Sequence, residues 1–369
     1  MGKLMARKFN WHIRIAITSR CNFRCIYCNP HGIRQDSDEL TIDDVREILH
    51  AAYVNGIRRV HWTGGEPTLR RDFLDILCVA KEIGYTEQIL TTNGHNLYRI
   101  IDDAIECGLS RVLVSLDTLN PMRFKHVTGT NTALFSNVLK SIEAAVEKLS
   151  SLTKINVVTM KSTLMELKDF VDYVADVNSR KTNKGKLALK LIQLCAINPI
   201  FLTELGVRLI EKEYTSYSNI INELKKIGPI KKLAKEEVEG DNPNCEYYLV
   251  KNKNVIVGVL AMYSWGFPCG HDYCHKLRVT PYGYASICLT DNLVSLKGKP
   301  LDEKIRIIRE LMSRRKNLDR IKPHRRHYRD YIGETRFGNL GKAIPINTWL
   351  NILKQLDPEA YEKFLEVRH

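Results

Sequence analysis

Cys21, Cys25 and Cys28 stand near the start of the chain in the run Cys-Asn-Phe-Arg-Cys-Ile-Tyr-Cys. Thiolates are the usual ligands of iron–sulfur clusters. Three on one short loop can hold three irons of a four-iron cubane and leave the fourth without a protein ligand. Such an open iron can take a chelating small molecule and pass it an electron. Structural zinc is the alternative, but it closes around four ligands, and His31 is the only nearby addition to these three.

The elements that must position this loop are legible as an alternation. Strand-like runs fall at 12–18, 59–63, 88–92, 111–115, 154–160 and 187–194, with helical patterns at roughly 42–54, 71–83, 97–107, 132–149 and 164–178. Thr41 followed by Asp44 is a capping signature, and Gly84 fits a helix C-cap. Six strands with intervening helices imply a parallel sheet, open or curled into a partial barrel, whose chemistry collects at the strands' C-terminal ends. Thr63-Gly64-Gly65-Glu66-Pro67, Thr91-Thr92-Asn93-Gly94 and Ser115-Leu116-Asp117 all lie at such ends, and the cysteine loop follows the first strand. In Gly64-Gly65-Glu66-Pro67, exposed backbone and one carboxylate suit an ammonium group.

After 195 the alternation stops. A helix-like segment covers about 203–227, and the polar stretch 231–244 looks like a linker. Strand-like runs follow around 247–262 and 277–289, and helical patterns resume near 302–314 and 345–366. The expected division is 1–200 as the partial barrel and 201–369 as a C-terminal auxiliary-cluster and substrate-binding region.

Of ten cysteines, Cys269, Cys274 and Cys288 form a second group that could hold another cluster, or zinc with His271 or His275. Cys78, Cys107, Cys195 and Cys245 are scattered, and Cys78 and Cys107 read as small buried apolar side chains. A disulfide framework is not expected of a chain with no visible secretory signal.

With both groups in view the chain resembles the GTP 3′,8-cyclase family of molybdenum-cofactor biosynthesis, within the radical S-adenosylmethionine (SAM) enzymes. The likeness runs through most of 11–292. It includes Arg14-Ile-Ala-Ile-Thr-Ser-Arg before the triad, Leu69-Arg70-Arg71-Asp72, Val114-Ser-Leu-Asp117, Asn156-Val-Val-Thr-Met-Lys161 and Tyr247-Tyr248. The resemblance implies a partial (β/α)6 barrel with a smaller C-terminal α+β extension carrying the second cluster. It implies that a 4Fe–4S cluster on Cys21, Cys25 and Cys28 cleaves SAM, and that a second cluster on Cys269, Cys274 and Cys288 binds the purine. Tyr27, Gly64, Gly65, Glu66, Pro67, Thr92, Asn93 and Ser115 are the implied SAM-site residues. Arg14, Arg59, Lys161, Lys190, Lys276 and Arg278 are the implied substrate contacts.

The chain also departs from that family. Four residues separate Cys269 from Cys274 where the family has two. Lys276, Lys190 and His61 stand where arginines are expected, and lysine offers a point charge rather than a planar fork. The chain ends in a helix-like segment instead of a Gly-Gly tail. The alternatives are therefore a relative acting on another nucleotide, nucleoside or RNA base, a peptide-modifying radical enzyme, or a zinc-stabilised RNA-binding protein.

The formal net charge of +14 favours an anionic partner. The most basic stretch, 297–329, includes Arg314, Arg315, Lys316, His324, Arg325, Arg326 and His327, and reads as a solvated helical face followed by a loop. No nucleic-acid-binding motif accompanies it. No apolar run approaches the roughly 18 residues of a membrane span, so a cytoplasmic enzyme served by a flavodoxin- or ferredoxin-type electron donor is expected.

Overall fold

A computed structural model describes residues 11–28, 38–180, 182, 184–194, 204–239, 245–261, 275–287, 293–318, 351–352 and 354–358. Six parallel strands form its centre: β1 (His12–Ala16), β2 (Arg59–Thr63), β3 (Glu87–Thr92), β4 (Leu109–Ser115), β5 (Leu152–Thr159) and β6 (Lys186–Gln193). Between them run α1 (Ile42–Val54), α2 (Phe73–Ile83), α3 (Leu97–Glu106), α4 (Pro121–Thr128), α5 (Ala133–Lys148), α6 (Lys161–Leu164) and α7 (Leu167–Ser179). This is an α/β fold with a largely parallel sheet, a partial rather than closed barrel.

Alternation within each strand sorts side chains between two faces. Ile13 and Ile15 on β1 and Val60 and Trp62 on β2 are fully buried on the side the helices cover. His12, Arg14, Arg59 and His61 therefore point to the other, inner face. The helices supply matching apolar stripes, as with Val45, Ile48, Leu49 and Ala52 on α1. The capping box at Thr41 is present, with Asp44 reciprocating, and Gly84 closes α2 in the left-handed conformation.

Strands from beyond residue 200 extend the same sheet at both edges. β9 (Val255–Leu260) pairs parallel with β6, and β8 (Glu246–Val250) and β7 (Ile230–Leu233) continue antiparallel. On the other side β10 (Lys276–Val279) pairs parallel with β1, followed by β11 (Tyr284–Ser286) and β12 (Val294–Ser295). α10 (Leu301–Leu318) packs back onto α1.

Several expectations are corrected. The stretch 231–244 is not simply a linker: residues 231–233 belong to β7, an edge strand, and a 3₁₀ turn covers Lys235–Glu237. Its polar appearance has a physical cause, since Lys231 and Lys232 are exposed and lysines guard an edge against further pairing. The single helix expected over 203–227 is two, α8 (Glu204–Glu213) and α9 (Tyr217–Ile227). They part where Gln193 Nε2 donates to the Thr215 carbonyl and Ser216 caps α9. α4 was not anticipated, although Asn120-Pro121 is an N-terminal signal: Asn120 Oδ1 accepts from the Met122 and Arg123 amides. Cys78 and Cys107 are not free apolar side chains but a disulfide joining α2 to the end of α3, with Cα atoms 4.3 Å apart. They are 29 residues apart in sequence, and only the lateral packing of two helices brings them together. Of the basic stretch 297–329, residues to 318 complete α10 and the rest lies outside the described residues. Within 345–366, residues 351–352 and 354–356 are helical.

A very close approach of two backbones lies beside the first cysteines. A Cβ on Gly64 would stand 2.4 Å from the Thr18 carbonyl oxygen, and one on Gly65 would stand 2.2 Å from that of Arg20. The gap is closed instead by backbone bonds: the Gly65 amide donates to Thr18 O at 2.7 Å and the Glu66 amide to Arg20 O at 2.8 Å. Gly65→Ala is expected to force these backbones apart and to cost about 1–3 kcal/mol, as overpacking does. Denaturant unfolding checks it; a midpoint equal to the parent's contradicts it.

Candidate functional site

The cysteine loop leaves β1 and is fixed from four directions. Below, the Glu39 carboxylate accepts from the Ser19 amide at 2.6 Å and from the Ser19 and Thr18 hydroxyls. Burial pushes that carboxyl up, but the bonds from Ser19 and Thr18, with Arg20 nearby, hold it below its usual value. Arg70 is buried and forks between the Ile17 and Leu40 carbonyls while pairing with Asp72. To one side lies the Gly64-Gly65 contact. To the other, the Arg24 and Ile26 amides donate to the Thr128 and Val127 carbonyls at the end of α4. Phe23 anchors this seam edge-on against Phe124.

Cys21 and Cys25 are partly buried and Cys28 is exposed. Burial pushes all three thiols up. Asp117 and the neighbouring sulfurs add to it for Cys25, and Cys21 and Asp117 for Cys28, which reaches about 11. A donor set of thiols that raise one another's pKa calls for a cationic centre to ionise them, which suits a metal cluster. Structural zinc closes around four ligands, whereas three thiolates on one loop suit an iron–sulfur cubane that keeps one iron open. Asn93 Nδ2 lies 3.9 Å from Cys21 Sγ and 2.8 Å from Asn22 Oδ1, a donor of the kind that tunes cluster sulfurs. The residues present therefore fit an iron–sulfur cluster with three protein ligands.

Glu66 is a buried brace. Its Oε1 accepts from the Thr68 amide and from the Thr68 and Thr92 hydroxyls, and its Oε2 accepts from the Asn93 amide at 2.6 Å. Burial raises its pKa, and these donors counter the rise. The structure thus brings together Gly64, Gly65, Glu66, Pro67, Thr92, Asn93 and the cysteine loop. Ser115 ends β4, opposite Asn156 of β5. Tyr27 donates to Asp117 Oδ2 at 2.5 Å, and Asp117 Oδ1 accepts from the Val158 amide. Burial lifts the Asp117 carboxyl to about 6, against the pull of Tyr27 and Val158. Asp117 is legible in sequence as a strand-end residue, but its bond to the cysteine loop is not.

The inner face of the sheet is basic. Arg14 lies in register with Arg278 of β10 on one side and His61 of β2 on the other, and His12 with Lys276 and Arg59. Burial and then Arg278 push Arg14 down to about 9. His61 is held well below its usual pKa by burial, then by Arg14, His12, Lys276 and Lys190, and its Nε2 lies 2.7 Å from the Thr91 hydroxyl. Burial and Arg14 also lower Lys190, although β1 and β6 have four strands between them, so the sheet curls to bring both to one space. Among the described residues no carboxylate pairs with Arg14, Lys190 or Arg278. Arg59 differs, because it pairs with Glu87, which also holds Arg111 at the N-terminal end of the sheet. Lys161 is exposed just beyond β5.

Cys269, Cys274 and Cys288 lie outside the described residues, as do His31, His271 and Cys195. Their neighbours His275 and Ile287 lie at one end of the β10–β11 pair, with His275 edge-on to Trp11. A feature missed in sequence is the cover beside the cysteine loop. Ile352 and Leu356 pack in one apolar cluster with Ile26, Tyr27, Met160 and Leu194, and Tyr214 donates to Asp357 at 2.8 Å. No local pattern links residues so distant in sequence.

The profile of the radical SAM superfamily matches residues 15–174. The GTP 3′,8-cyclase of Cronobacter sakazakii (strain ATCC BAA-894) is 32% identical over 290 residues, 77% of this chain and 81% of that protein. Among solved structures, Streptococcus suis SuiB bound to its precursor peptide SuiA superposes with a TM-score of 0.56 at 16% identity. That match covers 80% of this chain but only 65% of SuiB. Histidine-tagged anSMEcpe with bound AdoMet gives 0.52 at 15% identity, covering 96% of this chain and 98% of that one. At these identities the structural likeness concerns the fold. Among the described residues no helix is long and apolar enough to cross a membrane.

Glu66→Gln puts an amide NH2 against at least one of four donors. Loss of about 1–3 kcal/mol is expected, as for a buried polar group left unsatisfied. Thermal unfolding checks it, and parent-like stability would show that the brace is dispensable.

Proposed function

The chain belongs to the radical SAM superfamily, and from that premise we propose that it acts on a polyanionic nucleotide held against the basic inner face of its sheet, with GTP 3′,8-cyclisation as the most specific form. The observation that carries this reading is the set of Arg14, Arg278 and Lys190, three cations turned to one space without a carboxylate partner among the described residues. Desolvated cations that repel one another gain most from a multiply charged anion, and arginine offers phosphate a planar fork. The likeness to a GTP 3′,8-cyclase supports the nucleotide.

A 4Fe–4S cluster on Cys21, Cys25 and Cys28, when bound with SAM, supplies one electron to the sulfonium and so yields a 5′-deoxyadenosyl radical. The chain's own residues do the rest. Asn93 keeps Cys21 oriented, and Glu66 holds Thr92 and Asn93 in place. Gly64, Gly65, Pro67, Ser115 and Tyr27 frame the SAM side, and Arg14, Lys190, Lys276, Arg278 and Lys161 the anion. Arg59, already paired with Glu87, is left out of the proposed contacts. A second cluster on Cys269, Cys274 and Cys288 would be reached from the end of the β10–β11 pair where His275 and Ile287 lie, and because β7 to β12 extend the barrel's own sheet, the proposed division near residue 200 is one of role rather than of separate sheets. A second reading, another nucleotide or nucleoside, is favoured by His61, whose imidazole is held neutral and adds no charge where a further cation was expected.

Anaerobically reconstituted protein with SAM and dithionite should form more 5′-deoxyadenosine with GTP than with guanosine. Arg14→Ala should weaken the GTP response about 10–100-fold, as loss of a charged hydrogen bond does. An equal response to guanosine and GTP would overturn the polyanion, and a response to another triphosphate alone would select the second reading.

A further inference from the structure

The seam between the cysteine loop and α4 is poor in acidic residues. Neither 11–35 nor 118–142 contains an Asp or Glu, and the seam between the loop and α4 joins these two acid-free stretches. On α4, Phe124, Val127 and Thr128 are buried against the loop, while Met122, Lys125, His126 and the following Gly129 are exposed. Their spacing, i, i+3, i+4 and i+7, puts them on one helical face. Arg24, exposed between Cys21 and Cys25, adjoins this face: a Cβ on Gly129 would lie 3.1 Å from the Arg24 Cβ. Carboxylates that could neutralise the face are committed elsewhere. Glu166 holds Thr118, Leu119 and Arg123, Glu39 holds Thr18 and Ser19, and Asp117 is buried. Neither Arg24 nor Lys125 has an ion-pair partner among the described residues.

We propose that this face, formed by Arg24, Met122, Lys125 and His126, is the docking surface for a small acidic protein that donates single electrons. The proposal rests on the reading that Cys21, Cys25 and Cys28 hold a redox cluster. Three observations select such a partner. Unpaired positive charge seeks an acidic surface and speeds encounter with it. Met122, 69% exposed at the start of the row that runs through Lys125 and His126 to Gly129 and Arg24, sets an apolar side chain beside the basic ones, a mixture that suits a protein interface. And Arg24 stands on the cysteine loop itself, whose Arg24 and Ile26 amides bond the Thr128 and Val127 carbonyls of α4, so that the route for an electron is short. In each encounter the donor's cofactor is oxidised by one electron and the cluster reduced by one; no bond is made or broken at the interface.

The test uses the reconstituted full-length protein and photoreduced flavodoxin as the acidic probe. Its affinity, measured by fluorescence titration without SAM, should fall with added salt and fall about tenfold in Lys125→Glu/His126→Glu. Lys225→Glu/Lys226→Glu, on the remote α9, should bind as the parent does. 5′-Deoxyadenosine formation should drop in the α4 variant when flavodoxin is the reductant and stay at the parent's rate with dithionite. Equal affinity and equal flavodoxin-driven rates in parent and α4 variant would overturn the proposal. So would an RNA oligonucleotide that binds this face while flavodoxin does not. Absence of cleavage even with dithionite would refute the radical reading instead, and the titration would still decide the surface.

Discussion

The site depends on two backbones touching. Gly64 and Gly65 lie so close to the chain at Thr18–Arg20 that only the absence of a side chain allows the amides of Gly65 and Glu66 to reach the carbonyls of Thr18 and Arg20. That contact fixes the stem of the cysteine loop to the end of β2. Through Glu66 it extends to Thr92 and Asn93 at the end of β3, and through Asn93 it returns to Cys21. A closed ring of short interactions thus ties the ligand-bearing loop to three strands. A reactive radical demands such rigidity, because misplacement by about an ångström costs orders of magnitude in rate.

Charge is distributed with the same economy. The helix side of the sheet is apolar, while the inner face carries Arg14, His12, His61 and Lys190, whose burial and cationic neighbours lower their affinity for protons, with Arg278 in register beside Arg14. At the N-terminal end, Arg59, Glu87, Arg111 and Glu239 neutralise one another. The unbalanced cations stand between that end and the cysteine loop, the position that the proposed anionic substrate requires.

Much of this was legible from the residues alone. The six strands and their helices follow from apolar periodicity, and Arg59–Thr63 and Ile42–Val54 coincide with the expected bounds. The loop triad and the glycine pair announce themselves through residue types that have few other uses at such spacing. What sequence did not give was partnership across distance: Tyr27 with Asp117, Tyr214 with Asp357, Cys78 with Cys107. Each joins residues that only tertiary packing makes neighbours. Gly64 and Gly65 suggest exposed backbone for a ligand, whereas their closest company is the protein's own chain. Lys231 and Lys232 looked like linker because the composition of an edge strand and that of a loop overlap.

The central claim is that Cys21, Cys25 and Cys28 hold a cluster with one iron open to SAM. Electron paramagnetic resonance of the anaerobically reconstituted, dithionite-reduced protein tests it directly. The account predicts a reduced four-iron signal with a component whose shape changes when SAM is added, and the loss of that SAM-responsive component when the three cysteines become alanine. A protein that takes up zinc at this loop, or whose iron signal ignores SAM, would contradict it.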